Sequence, residues 1–230
     1  MQQGEAVGDV VGDLLPLAVG VAVSPVPVIA TILMLLAPQA RGTSVGFLLG
    51  WVAGIVVATT VFVVIAATAG LDDGSSSSST ASSWIKIVLG VLLLLVAVRQ
   101  WRKRPKPGEV AALPKWMTAI DSFTFVKALG LGFLLSAVNP KNLLMCVAAG
   151  SLIGEAGLST GEVVGSVAIF TALAASTVAL PVVGFLVAHD RLRRPLDELR
   201  AWLQDNNTAV MSVLVLVIGV LLLGKGIGGL

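Results

Sequence analysis

Ser136-Ala137-Val138-Asn139-Pro140-Lys141-Asn142 lies in the middle of an apolar run that extends from Phe125 to about Ser151. A proline, two asparagines and a lysine within four residues are expensive in a membrane span, because each unpaired polar group in hydrocarbon carries a heavy desolvation penalty. A central lysine alone costs roughly 2.5–3.5 kcal/mol on insertion scales. The first half of the chain has a counterpart, Ser24-Pro25-Val26-Pro27, inside its own first apolar run. Pro25 and Pro140 stand 115 residues apart, half of the 230-residue chain. The two prolyl breaks are read as the centre of a transport site.

The composition sets the class. Hydrophobic residues make up 56% of the chain and charged residues 12%, with a mean hydropathy of +0.96. Ordinary soluble domains carry about 25% charge, so this is an integral membrane protein. No basic block interleaved with aromatics stands on a soluble surface, which argues against nucleic acid as a partner. Cys146 is the only cysteine and His189 the only histidine, and there is no tyrosine. An intrachain disulfide and a multi-thiolate metal site are excluded. The remaining equipment points to no enzyme, no catalytic residue, no metal and no cofactor. The N-terminal flank carries Glu5, Asp9 and Asp13 but no basic residue, unlike a secretory signal, so the first span is expected to be retained.

A spanning helix needs ~20 apolar residues. Six segments meet that length or nearly do: about 14–37, 44–69, 84–98, 125–151, 161–187 and 208–225. Between the second and third, Asp72-Asp73-Gly74 and Ser75–Ser79 read as a flexible loop. After the third comes a basic, proline-broken exit, Arg99 to Pro107. The stretch 113–123, with Trp116, Met117, Ile120 and Phe123 at helical spacing, is expected to lie on the membrane surface. Between the fifth and sixth, 190–204 places Leu192, Leu196, Leu199 and Leu203 on one helical face, with Pro195 in the first turn of an interfacial helix; a solvated connector helix is the plainer alternative.

With both termini outside, the cytoplasmic loops hold 12 of the 15 Lys and Arg, so the positive-inside rule favours that orientation. The halves also repeat. At an offset of 115, Pro25 matches Pro140, Ser44 matches Ser159, Gly46 matches Gly161 and Gly50 matches Gly165. At an offset of 129, 87–94 resembles 216–223. Three spans per half is an odd number, so the halves are expected to be inverted. The fold expected is an all-α membrane protein of six transmembrane helices, two inverted three-helix repeats with helices 1 and 4 broken at the proline motifs. It forms a single domain over 1–230: repeat 1 about 14–98, a basic cytoplasmic linker about 99–124, and repeat 2 about 125–226.

Lys141 is the only ionisable residue well inside an expected span. A cation there serves an anionic head group, a helix C-terminal end, or anchoring at the surface. Asn139 and Asn142 add donors and acceptors, and Ser24, Thr31 and Ser136 lie close enough in sequence to line the same cavity. Those six form the candidate substrate-binding set. Pro25, Pro27, Pro140 and Pro181 are the candidate breaks or hinges. Gly46-x-x-x-Gly50-x-x-x-Gly54 and Gly161-x-x-x-Gly165 are read first as helix-packing motifs. No carboxylate lies inside a span, which weakens a self-contained proton antiporter.

With these residues in view, the chain resembles the GAP family of actinobacterial membrane proteins, the peptidoglycolipid- and sulfolipid-addressing proteins, within the lysine-exporter (LysE) superfamily. The pieces that carry the resemblance are Ser24-Pro25-Val26-Pro27-Val28, Gly46-Phe47-Leu48-Leu49-Gly50-Trp51 and Asn139-Pro140-Lys141-Asn142-Leu143-Leu144. The resemblance implies export of an amphiphilic, anionic lipid or glycolipid toward the cell envelope from the inner membrane. It implies membrane lipids as partners, with an RND-type lipid transporter and, as a homodimer, a second copy of the chain as further candidates. Export of an amino acid or other small solute, and a non-transporting accessory role beside an RND-type pump, are the competing readings. The superfamily's paired-cysteine redox branch does not fit the lone Cys146.

Overall fold

The computed structural model describes residues 2–71, 77–102 and 120–229. Among these there is no strand. The elements are α1 (Gln2–Ala22), α2 (Pro25–Leu36), α3 (Ala40–Leu71), α4 (Ser77–Arg102), a 3-10 turn (Ile120–Ser122), α5 (Phe125–Ala137), α6 (Pro140–Glu155) and α7 (Thr160–Gly228). Three stretches are long and apolar enough to cross a membrane by themselves: Ala40–Thr68, Ser83–Arg102 and Thr160–Val187. Two bent pairs, α1 with α2 and α5 with α6, raise that number to as many as five among the described residues if each pair is one span. The final stretch, Ser212–Gly228, is apolar but shorter. Large apolar side chains such as Val64, Leu95, Leu180 and Val187 are exposed on the outside of the bundle, as lipid-facing residues are.

Both breaks have the same construction. α1 ends at Ala22 and α5 at Ala137; α2 begins at Pro25 and α6 at Pro140. Ser24 and Asn139 are the N-caps, and each proline occupies a first-turn position where its missing N–H would have had no helical partner. Val23 N donates to Val19 O at 2.9 Å, and Val138 N donates to Leu134 O at 3.0 Å. Every one of these pairs is 115 residues apart. The bends are 53° and 63°.

Glycine lets the central helices touch. A Cβ on Gly46 would fall 2.6 Å from Phe125 O, and one on Gly54 would fall 2.9 Å from Phe133 O. Further along, a Cβ on Gly150 would lie 2.7 Å from Thr59 O and one on Gly154 2.6 Å from Val63 O. The α5–α6 pair therefore runs parallel to α3 along its length. Phe47 and Trp51, stacked at 6.2 Å, fill the buried side of α3.

α7 turns back on itself. Thr177 Oγ1 donates to Ala22 O at 2.5 Å, and Ile218 Cδ1 lies 2.6 Å from where a Gly20 Cβ would stand. Forty-one residues of straight helix would separate those two positions by ~60 Å, yet both meet the last turn of α1. The reversal falls in the stretch that carries Pro181 and Pro195, although helical backbone continues through both. The returning arm of α7 packs antiparallel on α4: Gly226 lies at Ser83 and Gly219 at Gly90.

Several expectations change. Pro195 lies deep inside a 69-residue helix, not in a first turn, because no break precedes it. Leu196 and Leu203 are buried but Leu199 is 40% exposed, since positions three apart drift off a narrow face; the side chain of Leu192 lies outside the described residues. Ser77–Ser79 belong to α4 rather than to a loop; residues 72–76 lie outside the described residues. Of the expected surface stretch, 113–119 also lie outside them, while Ile120 is 1% exposed and packs in the 3-10 turn against α2. A methyl group added at Gly161 or Gly165 would have nothing within 4 Å, so that motif is not a packing seam within this chain.

Candidate functional site at the prolyl breaks

A broken helix leaves carbonyls and N–H groups without helical partners, and in an apolar interior they must be satisfied locally. Most of the candidate polar side chains meet that need. Ser136, fully buried, donates to Gly132 O and Phe133 O, both at 3.0 Å. Asn139, half-buried, accepts from Lys141 N at 3.2 Å. Asn142, fully buried, reaches back across the break and donates through Nδ2 to Leu135 O at 2.9 Å. In the first half, Thr31 donates to Pro27 O at 2.8 Å, the back-bond that buried hydroxyls make along a helix.

Three further groups stand at the breaks. Ser24 is 5% exposed and makes no side-chain capping bond. Lys141 is 7% exposed, its amine carried on the first turn of α6. Asn142 Oδ1 is buried and accepts no hydrogen bond. The α6 N-terminus adds the positive end of a helix dipole. A buried lysine amine, a vacant amide acceptor and a helix N-terminus thus occupy adjoining positions.

The structure gathers Ser136, Asn139, Pro140, Lys141 and Asn142 around the second break. Ser24, Pro25, Pro27 and Thr31 surround the first. The two groups are not brought together as a packed helix pair: α2 packs chiefly on α7, α3 and the 3-10 turn, whereas α6 packs chiefly on α3 and α1. Pro181 lies half-buried inside α7. The polarity is also one-sided. The positions that match Lys141 and Asn142 at the 115 offset are Val26 and Pro27.

Among the buried polar atoms without partners that the sequence does not single out are Trp51 Nε1 and Ser166 Oγ. These residues are themselves 115 apart, but a tryptophan and a serine share no residue type, so the spacing that links the prolines does not mark them.

A family model described as Sap, sulfolipid-1-addressing protein, matches residues 14–228, both breaks included. The chain belongs to that family. No curated protein and no solved structure gives a significant match. Membership in the Sap family ties this membrane protein to lipid-related function, and that family is not a known enzyme family.

Proposed function

We propose that this Sap-family chain moves an amphiphilic, anionic lipid or glycolipid outward across the inner membrane. In this reading, six crossings form two inverted three-helix repeats of the LysE type, over about 14–98 and 125–226, with both termini outside. The residue-for-residue match of the two breaks supports the repeat. The basic residues concentrated in the loops assigned to the cytoplasm support the orientation. Asn139, Lys141 and Asn142 engage the head group, with Ser24, Thr31 and Ser136 lining the route. Pro25, Pro27, Pro140 and Pro181 sit where the halves rock against each other. Membrane lipids are the primary partners; an RND-type lipid transporter and a second copy of the chain are the further ones.

The observation that carries the reading is the buried Lys141 beside the vacant Asn142 Oδ1, in a family tied to a sulfated lipid. A buried cation that a membrane protein retains despite its cost is a functional position by default. An anion with oxygen acceptors and a hydroxyl or amide donor matches both groups.

The test is purification in mild detergent followed by mass spectrometry of the retained lipids, wild type against Lys141→Met. Retention of an anionic lipid or glycolipid by wild type, lost in the variant, is the expected result. Identical lipid profiles would overturn the head-group role. A second reading, an accessory subunit of a larger lipid pump, draws on the local bonds that already occupy Thr31, Ser136 and Asn139. It predicts that Lys141→Met spoils capture of the pump rather than of lipid. Export of an amino acid or similar solute predicts efflux that no lipid competes with.

A further inference from the structure

Away from the breaks, a cavity of about 220 Å³ lies toward one end of the bundle, between the middle of α1 and the last turns of α7. Its walls include Pro16 and Leu17 of α1, Leu152 of α6, and Ile218 and Leu222 of α7. Asp13 and Lys225, paired with one another, also line it, and each side chain keeps more than a third of its surface open. We propose that this cavity is a second lipid subsite: it takes the head-proximal methylenes of one acyl chain, while Lys225 holds the negative charge of that lipid's head group.

The chemistry of the lining selects the occupant. Below the Asp13–Lys225 pair the lining is apolar and does not offer water the two to four polar partners that it needs. In a bilayer the available filler is hydrocarbon. The volume sets how much. Sites that enclose a whole small molecule span about 300–1,000 Å³, so 220 Å³ is too small for a sugar-bearing head group. At ~30 Å³ for each water-sized group, it holds a chain segment of roughly seven carbons.

The charged rim selects the head group. Lys225 stands in the last turn of α7, where the dipole favours a cation. Asp13 is its partner in this structure, and a lipid phosphate or sulfate competes for the same ammonium. A second ion pair, Lys86 with Glu155 at 3.1 Å, lies at the same end, since Ser83 meets Gly226 and Leu152 lines the cavity one turn before Glu155. The end of the bundle is thus a charged layer over an apolar recess, the arrangement an amphiphile matches end to end. The inference rests on the lipid-handling reading but assigns a different place in the fold.

The full chain in mild detergent is given phosphatidylglycerol that bears a photoactivatable diazirine in the head-proximal part of one acyl chain. A matched phosphatidylcholine carries the same label. Cross-linked peptides are mapped by mass spectrometry. The anionic probe should label the α1 segment around Pro16 and the α7 segment around Ile218 several-fold above the lipid-facing side of α4 around Leu95. Lys225→Gln should lower that labelling to the phosphatidylcholine level, and Asp13→Asn should raise it by freeing Lys225. Gly12 lines the cavity and has nothing within 4 Å of an added methyl, so Gly12→Leu fills the recess without a backbone clash and should reduce labelling by both probes. Labelling at the first turn of α6 with none at the cavity overturns this subsite and leaves the lipid reading standing. Uniform labelling of the whole perimeter, equal for both probes, overturns both.

Discussion

Gly90 and Gly219 face each other reciprocally across the α4–α7 contact: a Cβ on Gly90 would lie 2.9 Å from Gly219 O, and a Cβ on Gly219 would lie 3.1 Å from Gly90 O. They are the two glycines that align when 87–94 is laid on 216–223. Matched residues that touch each other in both directions are what a two-fold axis between them produces, and the helices there run antiparallel, as the proposed inversion requires. The contact leaves no room for a side chain, since Leu223 N is also only 2.8 Å from the Gly90 Cβ position. Gly90→Ala should therefore destabilise the protein by about 1–3 kcal/mol, the usual cost of overpacking. Gly130→Ala, with nothing within 4 Å, is the matched control. Thermal unfolding in detergent should separate the two; equal midpoints would mean that the α4–α7 contact is not closed in solution.

The same measurement distinguishes two motifs that look alike on paper. On α3, the Gly50 Cβ position collides with the Leu129 backbone, and the Gly132 Cβ position on α5 lies 2.8 Å from Trp51 N. On α7, Gly165 is open. Gly132→Ala should thus cost about 1–3 kcal/mol, and Gly165→Ala should be neutral or slightly stabilising, because alanine is the better helix former. A loss of stability in Gly165→Ala that appears only as protein concentration rises would instead place that face in contact with a second copy of the chain.

Much of this architecture was legible in the sequence, for identifiable reasons. The two breaks announced themselves because proline cannot continue a helix interior and asparagine is costly in hydrocarbon. The helical class followed from apolar length alone. The return of the chain after the fifth span was legible, but the unbroken helical backbone of α7 was not. Charged residues from Asp190 to Gln204 suggested an exit from the membrane and a fresh helix, but helical hydrogen bonding survives proline at both 181 and 195. The partition of roles at the candidate site was also hidden. Asn before Pro can be read as a helix cap, but nothing in Asn-Pro-Lys-Asn says that the second asparagine reaches back to the preceding helix. That depends on the 63° bend, which sequence spacing does not encode.

Asn142 tests how far structural repair and binding can be separated. Its Nδ2 holds Leu135 O, and its Oδ1 accepts nothing. Asn142→Leu removes one intramembrane hydrogen bond, a loss of roughly 0.6–2 kcal/mol, and it deletes the vacant acceptor. The variant should remain folded, with a modestly lowered unfolding midpoint, yet retain less anionic lipid on purification, as Lys141→Met is expected to. Undiminished lipid retention beside a lowered midpoint would reduce Asn142 to a cap on α5.

The ion pairs give a final prediction about which contacts join the two halves. Lys86 of α4 and Glu155 of α6 are 21% and 24% exposed and meet from distant parts of the chain. Arg194 and Glu198 of α7 meet at 3.0 Å, one turn apart, but are 91% and 67% exposed. Solvent and salt screen the second pair, for which ~0.3–0.5 kcal/mol is typical of one-turn helix pairs. The first is shielded on most sides and ties separate helices, so breaking it leaves a charge facing a partly desolvated neighbour. A double-mutant cycle over Lys86→Gln and Glu155→Gln should give a coupling energy of about 1 kcal/mol or more. The corresponding cycle over Arg194→Gln and Glu198→Gln should give less than half of that and vanish in high salt. Equal couplings would show that Lys86 and Glu155 do not hold α4 against α6, and that the shared charged layer at that end of the bundle is not a structural joint.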